Sequence, residues 1–223
     1  MFDIDPLEAT FGATVRGVPQ AALDDASFRA IHAAGIELGL LIFPGQLLTR
    51  EQQAAFTLRF GALEFSTTRI SDIARDGSFI ADPDDDVVKG LRGNEGWHHD
   101  STYMPMQAKG AVFSAEIVPS DGAATGWADI RAAFEALDDD TRERVAQLSA
   151  FHSIHYSQGR AGLLPSKRDK NGGYGSYGYH EKEPSLRPAA DASGDAVRPD
   201  RATPHVAARI AGEPQSELAV SHF

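Results

Sequence analysis

Apolar residues recur at helical spacing at Phe28, Ile31, Ala34 and Leu38, so the pattern predicts a helix from Asp24 to about Leu38 with Asp24 or Asp25 as N-cap. Before it, Ala13-Thr14-Val15-Arg16-Gly17 reads as a short strand ended by a Gly-Val-Pro turn. After it, the unbroken apolar run Leu40-Leu41-Ile42-Phe43 stops at Pro44-Gly45 and is expected to be a buried strand and a turn. Thr49-Arg50-Glu51-Gln52 fits a capping box, which opens a helix through Phe60 with Ala55, Phe56 and Phe60 on its apolar face.

Further along, Ser71 to Asp86 is acidic and turn-rich and reads as a hairpin or loop. Ala111 to Val118 is a strand ending at Pro119, and two short helices follow, Ile130 to Leu137 and Asp140 to Leu148, started by Asp129 and Asp138. Ala150 to Tyr156 alternates as a strand does. The Gly-, Tyr- and Lys-rich stretch Gly159 to Glu183 is expected to be a mobile loop of the kind that covers active sites. Composition breaks near Pro188, which divides the chain into a domain over 1–188 and an atypical tail over 189–223. The tail is rich in Ala, Asp, Arg and Pro, should pack poorly, and offers Val206 to Ala211 as its best helical turn.

The length of 223 residues suits one domain with a sizeable core. Thirty-two acidic against 21 basic residues give a formal charge of -11, a field that opposes nucleic acid and anionic membrane. Any anionic ligand would need locally placed Arg or Lys. With no cysteine, disulfides and thiolate metal sites are excluded, leaving oxygen and nitrogen ligands. The N-terminus has no basic segment followed by an apolar stretch, and no run approaches bilayer length, so a cytoplasmic location is the expectation.

The chemistry concentrates in Trp97-His98-His99-Asp100. In extended backbone, side chains at i and i+2 leave the same face, so His98 and Asp100 can converge on one cation while His99 points away. An imidazole and a carboxylate are two-thirds of the 2-His-1-carboxylate arrangement of non-haem Fe(II) oxygenases. Taken alone, such a triplet usually marks a solvated loop. Trp97 is expected in core packing. His152 and His155, three residues apart on a strand, fall on opposite faces, and Lys167, Arg168 and Lys170 read as a solvated loop.

Outward from this pair, ordered blocks resemble the TauD/TfdA family of Fe(II)- and 2-oxoglutarate-dependent dioxygenases, in particular its phenoxyalkanoate-dioxygenase branch. The blocks run from Leu41-Ile42-Phe43-Pro44-Gly45-Gln46, through Gln52 to Phe56 and Phe60-Gly61-Ala62-Leu63-Glu64, to Asn94 to Tyr103 and Pro119 to Asp129. The resemblance covers roughly Phe11 to Pro188. It implies a mainly β architecture with flanking helices (α+β), a double-stranded β-helix or jelly roll that is incomplete at its C-terminus. It also implies His98 and Asp100 as iron ligands, Thr125 at the 2-oxoglutarate carboxylate, and Asn94 lining the co-substrate or substrate pocket. The implied partners are dioxygen and a small organic acid such as a phenoxyalkanoate, sulfonate or sulfate ester, with a homo-oligomer as the assembly to look for.

The family's late histidine and the arginine that clamps 2-oxoglutarate have no matching block after Pro188. His205 and His222 stand in unrelated contexts, as do Arg187, Arg198, Arg201 and Arg209. The expectation is therefore a shortened chain, its tail a shifted reading frame, that holds iron weakly and is of doubtful competence. The rival expectation is a non-catalytic or degenerate jelly-roll binding module. A zinc hydrolase using His98, His99 and Asp100 is disfavoured by the opposed faces of the adjacent histidines.

Overall fold

A computed structural model describes residues 2–64, 68–74, 76–102, 107–122, 124–153, 156, 159–163, 185–188, 206–210 and 217–222; for Thr68 and the last three stretches only the backbone is described. The N-terminal layer is a three-stranded sheet. Strand β1 (Asp3–Pro6) runs antiparallel to β2 (Ala13–Arg16), with Ile4 opposite Val15, and β2 runs parallel to β3 (Leu41–Ile42). Parallel neighbours need a crossover. Here it is a 3₁₀ turn at Gln20–Ala22 and then helix α1 (Asp25–Leu38).

Local chemistry fixes the ends of α1 as the sequence predicts. The Ser27 backbone N–H donates to Asp24 Oδ1 at 2.8 Å, and Gly39, at φ 76, closes the helix by donating its N–H to the Gly35 carbonyl. On the inner face Ile31 and Ala34 are buried, and Ile31 packs with Val15 and Val18 in a core bordered by Phe2, Ile4, Leu23, Leu41, Phe43 and Phe60.

Helix α2 (Arg50–Leu58) has the predicted capping box: the Gln52 N–H donates to Thr49 Oγ1, and the Thr49 N–H donates to Gln52 Oε1 at 2.8 Å. Its buried face differs from the expectation. Ala55 is exposed, and the core side is Gln53, Phe56 and Thr57, followed by Phe60. These positions keep helical spacing, but two are polar, and hydrogen bonds make their burial tolerable. Gln53 Nε2 donates to the Val112 carbonyl at 2.9 Å and Thr57 Oγ1 to the Gln53 carbonyl at 2.7 Å. Phe56 and Phe60 meet edge to face, as do Phe28 and Phe60, which joins α2 to α1.

Beyond α2 come β4 (Thr68–Ser71) and α3 (Asp86–Gly93), capped by Asp85. The stretch 71–86, expected as a hairpin or loop, does contain one isolated bridge, Ile73 to Phe79. Then follow β5 (Ala111–Ile117), β6 (Thr125–Asp129), α4 (Ile130–Glu135), α5 (Asp139–Ala146) and β7 (Ser149–His152). Asp129 and Asp138 cap α4 and α5 as read from the sequence. The strand expected over Ala150 to Tyr156 runs instead from Ser149 to His152; Ser153 lies beyond it and Tyr156 is helical, while 154 and 155 lie outside the described residues.

Three later strands complete the pairing. β8 (Ser185–Pro188) pairs antiparallel with β7, β9 (Val206–Ile210) with β6, and β10 (Glu217–His222) lies between β4 and β5. Val206 to Ala211 reads in the sequence as a helical turn; the backbone of Val206–Ile210 is instead a strand, because a ladder to Thr125–Asp129 satisfies its hydrogen bonds and overrides local preference. Among the described residues the strands form four sheets and no closed barrel. Phe113 on β5 and Trp127 on β6 meet edge to face at 5.6 Å, joining two of them.

Candidate metal centre

Helix α3 delivers the chain to the site. It ends at Asn94, whose backbone N–H closes the last turn onto Leu91 and Arg92 carbonyls, and two residues later Gly96 presents its carbonyl to His98. His98 Nδ1 donates to that carbonyl at 2.7 Å, which orients the ring and directs Nε2 to Asp100 Oδ1 at 3.1 Å. The predicted convergence is present. Its backbone is not one continuous strand: Asp100 begins a turn that runs through Ser101 and Thr102.

The pair is about one-third exposed, 29% for the His98 side chain and 31% for Asp100. Burial is the largest influence on His98 and pulls its pKa down, but the Asp100 hydrogen bond and charge, with the Gly96 carbonyl, outweigh it and leave the value raised. Burial dominates at His99 and lowers its pKa. His99 Nδ1 donates to the Asp100 backbone carbonyl at 2.9 Å, and Gln107 Nε2 lies 2.8 Å from the same nitrogen.

The donor set fits a divalent cation. Two ligands about 2.1 Å from one ion and at right angles to each other lie about 3 Å apart, which is the separation His98 and Asp100 already have. The hydrogen-bonded Nδ1 and ligating Nε2 are the usual division of labour in a metal-bound imidazole. Among the described residues, no group of three or more His, Asp or Glu side chains gathers to hold a metal.

The other candidates are placed by the elements that carry them. Thr125 opens β6, with Ile210 as its partner, and Asn94 serves as the C-cap of α3. Arg187 pairs with Ala150 and Arg209 with Gly126 in their ladders; His222 pairs with Ala111. His155, Lys167, Arg168, Lys170, Arg198, Arg201 and His205 lie outside the described residues, as does most of the expected lid. Trp97, expected in the core, is 57% exposed.

Two residues carry structure here that the sequence reading left without a role. Ser101 is 1% exposed and adopts φ 60, and its Oγ donates to Glu64 Oε2 at 2.8 Å. Their distance in sequence hides the pairing. A serine beside a candidate ligand was the only local signal.

The family model described as "Taurine catabolism dioxygenase TauD, TfdA family" matches residues 3–215. An (S)-phenoxypropionate/alpha-ketoglutarate-dioxygenase of Sphingobium herbicidovorans is 56% identical over 188 residues, covering 84% of this chain and 65% of that protein. A protein of the same name from Delftia acidovorans is 46% identical over 88% of this chain and 68% of its own length. The chain thus spans about two-thirds of these curated relatives. In fold, it is similar to a crystal structure of AAD-2 in complex with Mn(II) and N-oxalylglycine, with a TM-score of 0.81 at 23% identity over 99% of this chain and 96% of that one.

Proposed function

Because the chain belongs to the TauD/TfdA family, we propose that it is an Fe(II)- and 2-oxoglutarate-dependent dioxygenase acting on a small organic acid, with a phenoxyalkanoate as first candidate. The observation that carries this reading is the 3.1 Å approach of His98 Nε2 to Asp100 Oδ1 with Nδ1 tied to the Gly96 carbonyl. His98 and Asp100 would hold the iron. When bound, that iron supplies the activation of dioxygen that couples oxidative decarboxylation of 2-oxoglutarate to hydroxylation of a substrate C–H.

The protein's own residues then have separate tasks. Gly96 fixes the His98 ring, Asp100 supplies the negative charge that favours a cation, and Thr125 contacts the 2-oxoglutarate carboxylate. Asn94 lines the co-substrate or substrate pocket. The proposed scaffold is a jelly roll with flanking helices in a cytoplasmic protein, with β9 and β10 of the segment 189–223 among its strands. The names of the two curated relatives support the phenoxyalkanoate choice.

A second reading, a degenerate binding module without turnover, is favoured by one observation: two donors, not three, gather among the described residues. Incubating the folded chain with Fe(II), 2-oxoglutarate and (S)-2-phenoxypropionate in air and measuring succinate separates the two. Substrate-dependent succinate that disappears in Asp100→Ala is expected. No succinate above the protein-free blank at saturating iron would replace the enzyme reading with the binding module.

A further inference from the structure

The turn that carries Asp100 is tied to the body of the protein through Ser101. Ser101 follows the candidate ligand directly, is fully enclosed at 1% exposure, and has φ 60, a left-handed conformation that non-glycine residues rarely adopt. A residue stays in that region only when its surroundings impose it. Here the imposing contact is visible. Ser101 Oγ donates to the Glu64 carboxylate at 2.8 Å, a charge-assisted bond between positions 37 residues apart.

Glu64 is itself well placed to act as an anchor. It lies just beyond α2, and α2 is fastened on two sides. Toward β5, Arg50 makes paired hydrogen bonds to Glu116 at 3.0 and 2.8 Å, and Gln53 reaches the Val112 carbonyl. Toward α1, Arg59 donates to the Leu23 carbonyl and pairs with Asp25, while its guanidinium lies 4.3 Å from the centre of the Phe28 ring. The anchored helix α2, the short irregular stretch that follows it, the Glu64 carboxylate and Ser101 thus connect the packed core to the backbone of Asp100.

We infer that Glu64 and Ser101 form a strut that holds the Asp100 turn in its metal-ligating conformation, which makes both of them positioning residues. The inference rests on the reading of His98 and Asp100 as metal ligands. Without the strut, relaxation of φ at Ser101 rotates the peptide joining it to Asp100, and the carboxylate leaves its 3.1 Å approach to His98. Partners of this kind around a metal ligand typically change affinity about 10- to 100-fold.

The test is Mn(II) binding to the full chain, followed by loss of the free-ion electron paramagnetic resonance signal, with unfolding by urea measured on the same samples. Ser101→Ala and Glu64→Ala should each weaken Mn(II) binding about tenfold or more, and the double variant no further than the weaker single one, since the two act as one unit. Glu64→Gln keeps an acceptor oxygen and should recover most of the affinity. Ile31→Ala, in the core cluster with Val15 and Val18, should lower stability and leave affinity unchanged, which separates positioning from general destabilisation. If Ser101→Ala does not fold, Glu64→Gln against Glu64→Ala gives the same comparison. Affinities within twofold of the parent in the Glu64 and Ser101 variants, while His98→Ala and Asp100→Ala abolish binding, would overturn the strut alone. Binding indifferent to His98→Ala would overturn the metal reading and the strut with it.

Discussion

Replacing Ile31 with alanine removes the centre of the N-terminal core. The side chain is at 0% exposure and packs against Val15 and Val18, under a border that includes Leu23, Leu41 and Phe60. The change deletes roughly three carbon groups, and at about 0.8 kcal/mol per buried group the transfer loss alone is about 2.4 kcal/mol. A residual cavity adds to this, because the sheet and the Phe28–Phe60 contact restrict collapse around it. The expected total is about 3–4 kcal/mol, a large fraction of the stability of an ordinary domain. Ile31→Val deletes one group and should cost about 1 kcal/mol. Urea unfolding followed by circular dichroism gives both values, and the slope m should stay constant across the series. An alanine variant within 1 kcal/mol of the parent would refute the placement of the core between α1 and β2.

Thr49→Ala removes the acceptor for the Gln52 N–H; it should cost about 1 kcal/mol and lower the melting temperature by about 2–4 °C, read by calorimetry. Asp24 has its pKa lowered, first by the hydrogen bond from the Ser27 N–H and next by the Ser27 hydroxyl. A depressed folded-state value means the cap's contribution is present above the ordinary carboxylate range and is lost as pH falls through the folded value. Parent and Asp24→Asn should therefore differ at neutral pH and converge below roughly pH 4 in urea unfolding. Trp97→Ala should change stability by no more than about 0.5 kcal/mol because the indole is largely outside, and a loss above 2 kcal/mol would restore it to the core.

Local signals were the legible ones. The caps at Asp24, Thr49, Asp129 and Asp138 are spelled by residues within one turn of the bonds they make, so sequence and structure agree on them. The i, i+2 relation of His98 and Asp100 was legible for the same reason, although a turn, not a full strand, realises it. What depended on distant partners was not. β9 is a strand because β6 lies beside it, and Gln53 is buried because Val112 offers an acceptor 59 residues away. The Glu64–Ser101 bond spans 37 residues and leaves no periodic trace in either segment. Helix α3 was missed because its first turn begins in an acidic, turn-rich stretch, where Asp85 and Asp86 read as loop but act as cap and first-turn charge.

The central claim is that His98 and Asp100 share one metal ion together with 2-oxoglutarate. Adding 2-oxoglutarate to the chain and Fe(II) without oxygen, and recording the visible spectrum, tests it most directly. A weak charge-transfer band that saturates with 2-oxoglutarate and is lost in both His98→Ala and Asp100→Ala is the predicted result. A folded parent chain that gives no band at saturating iron, or a band of equal strength in both variants, would contradict it.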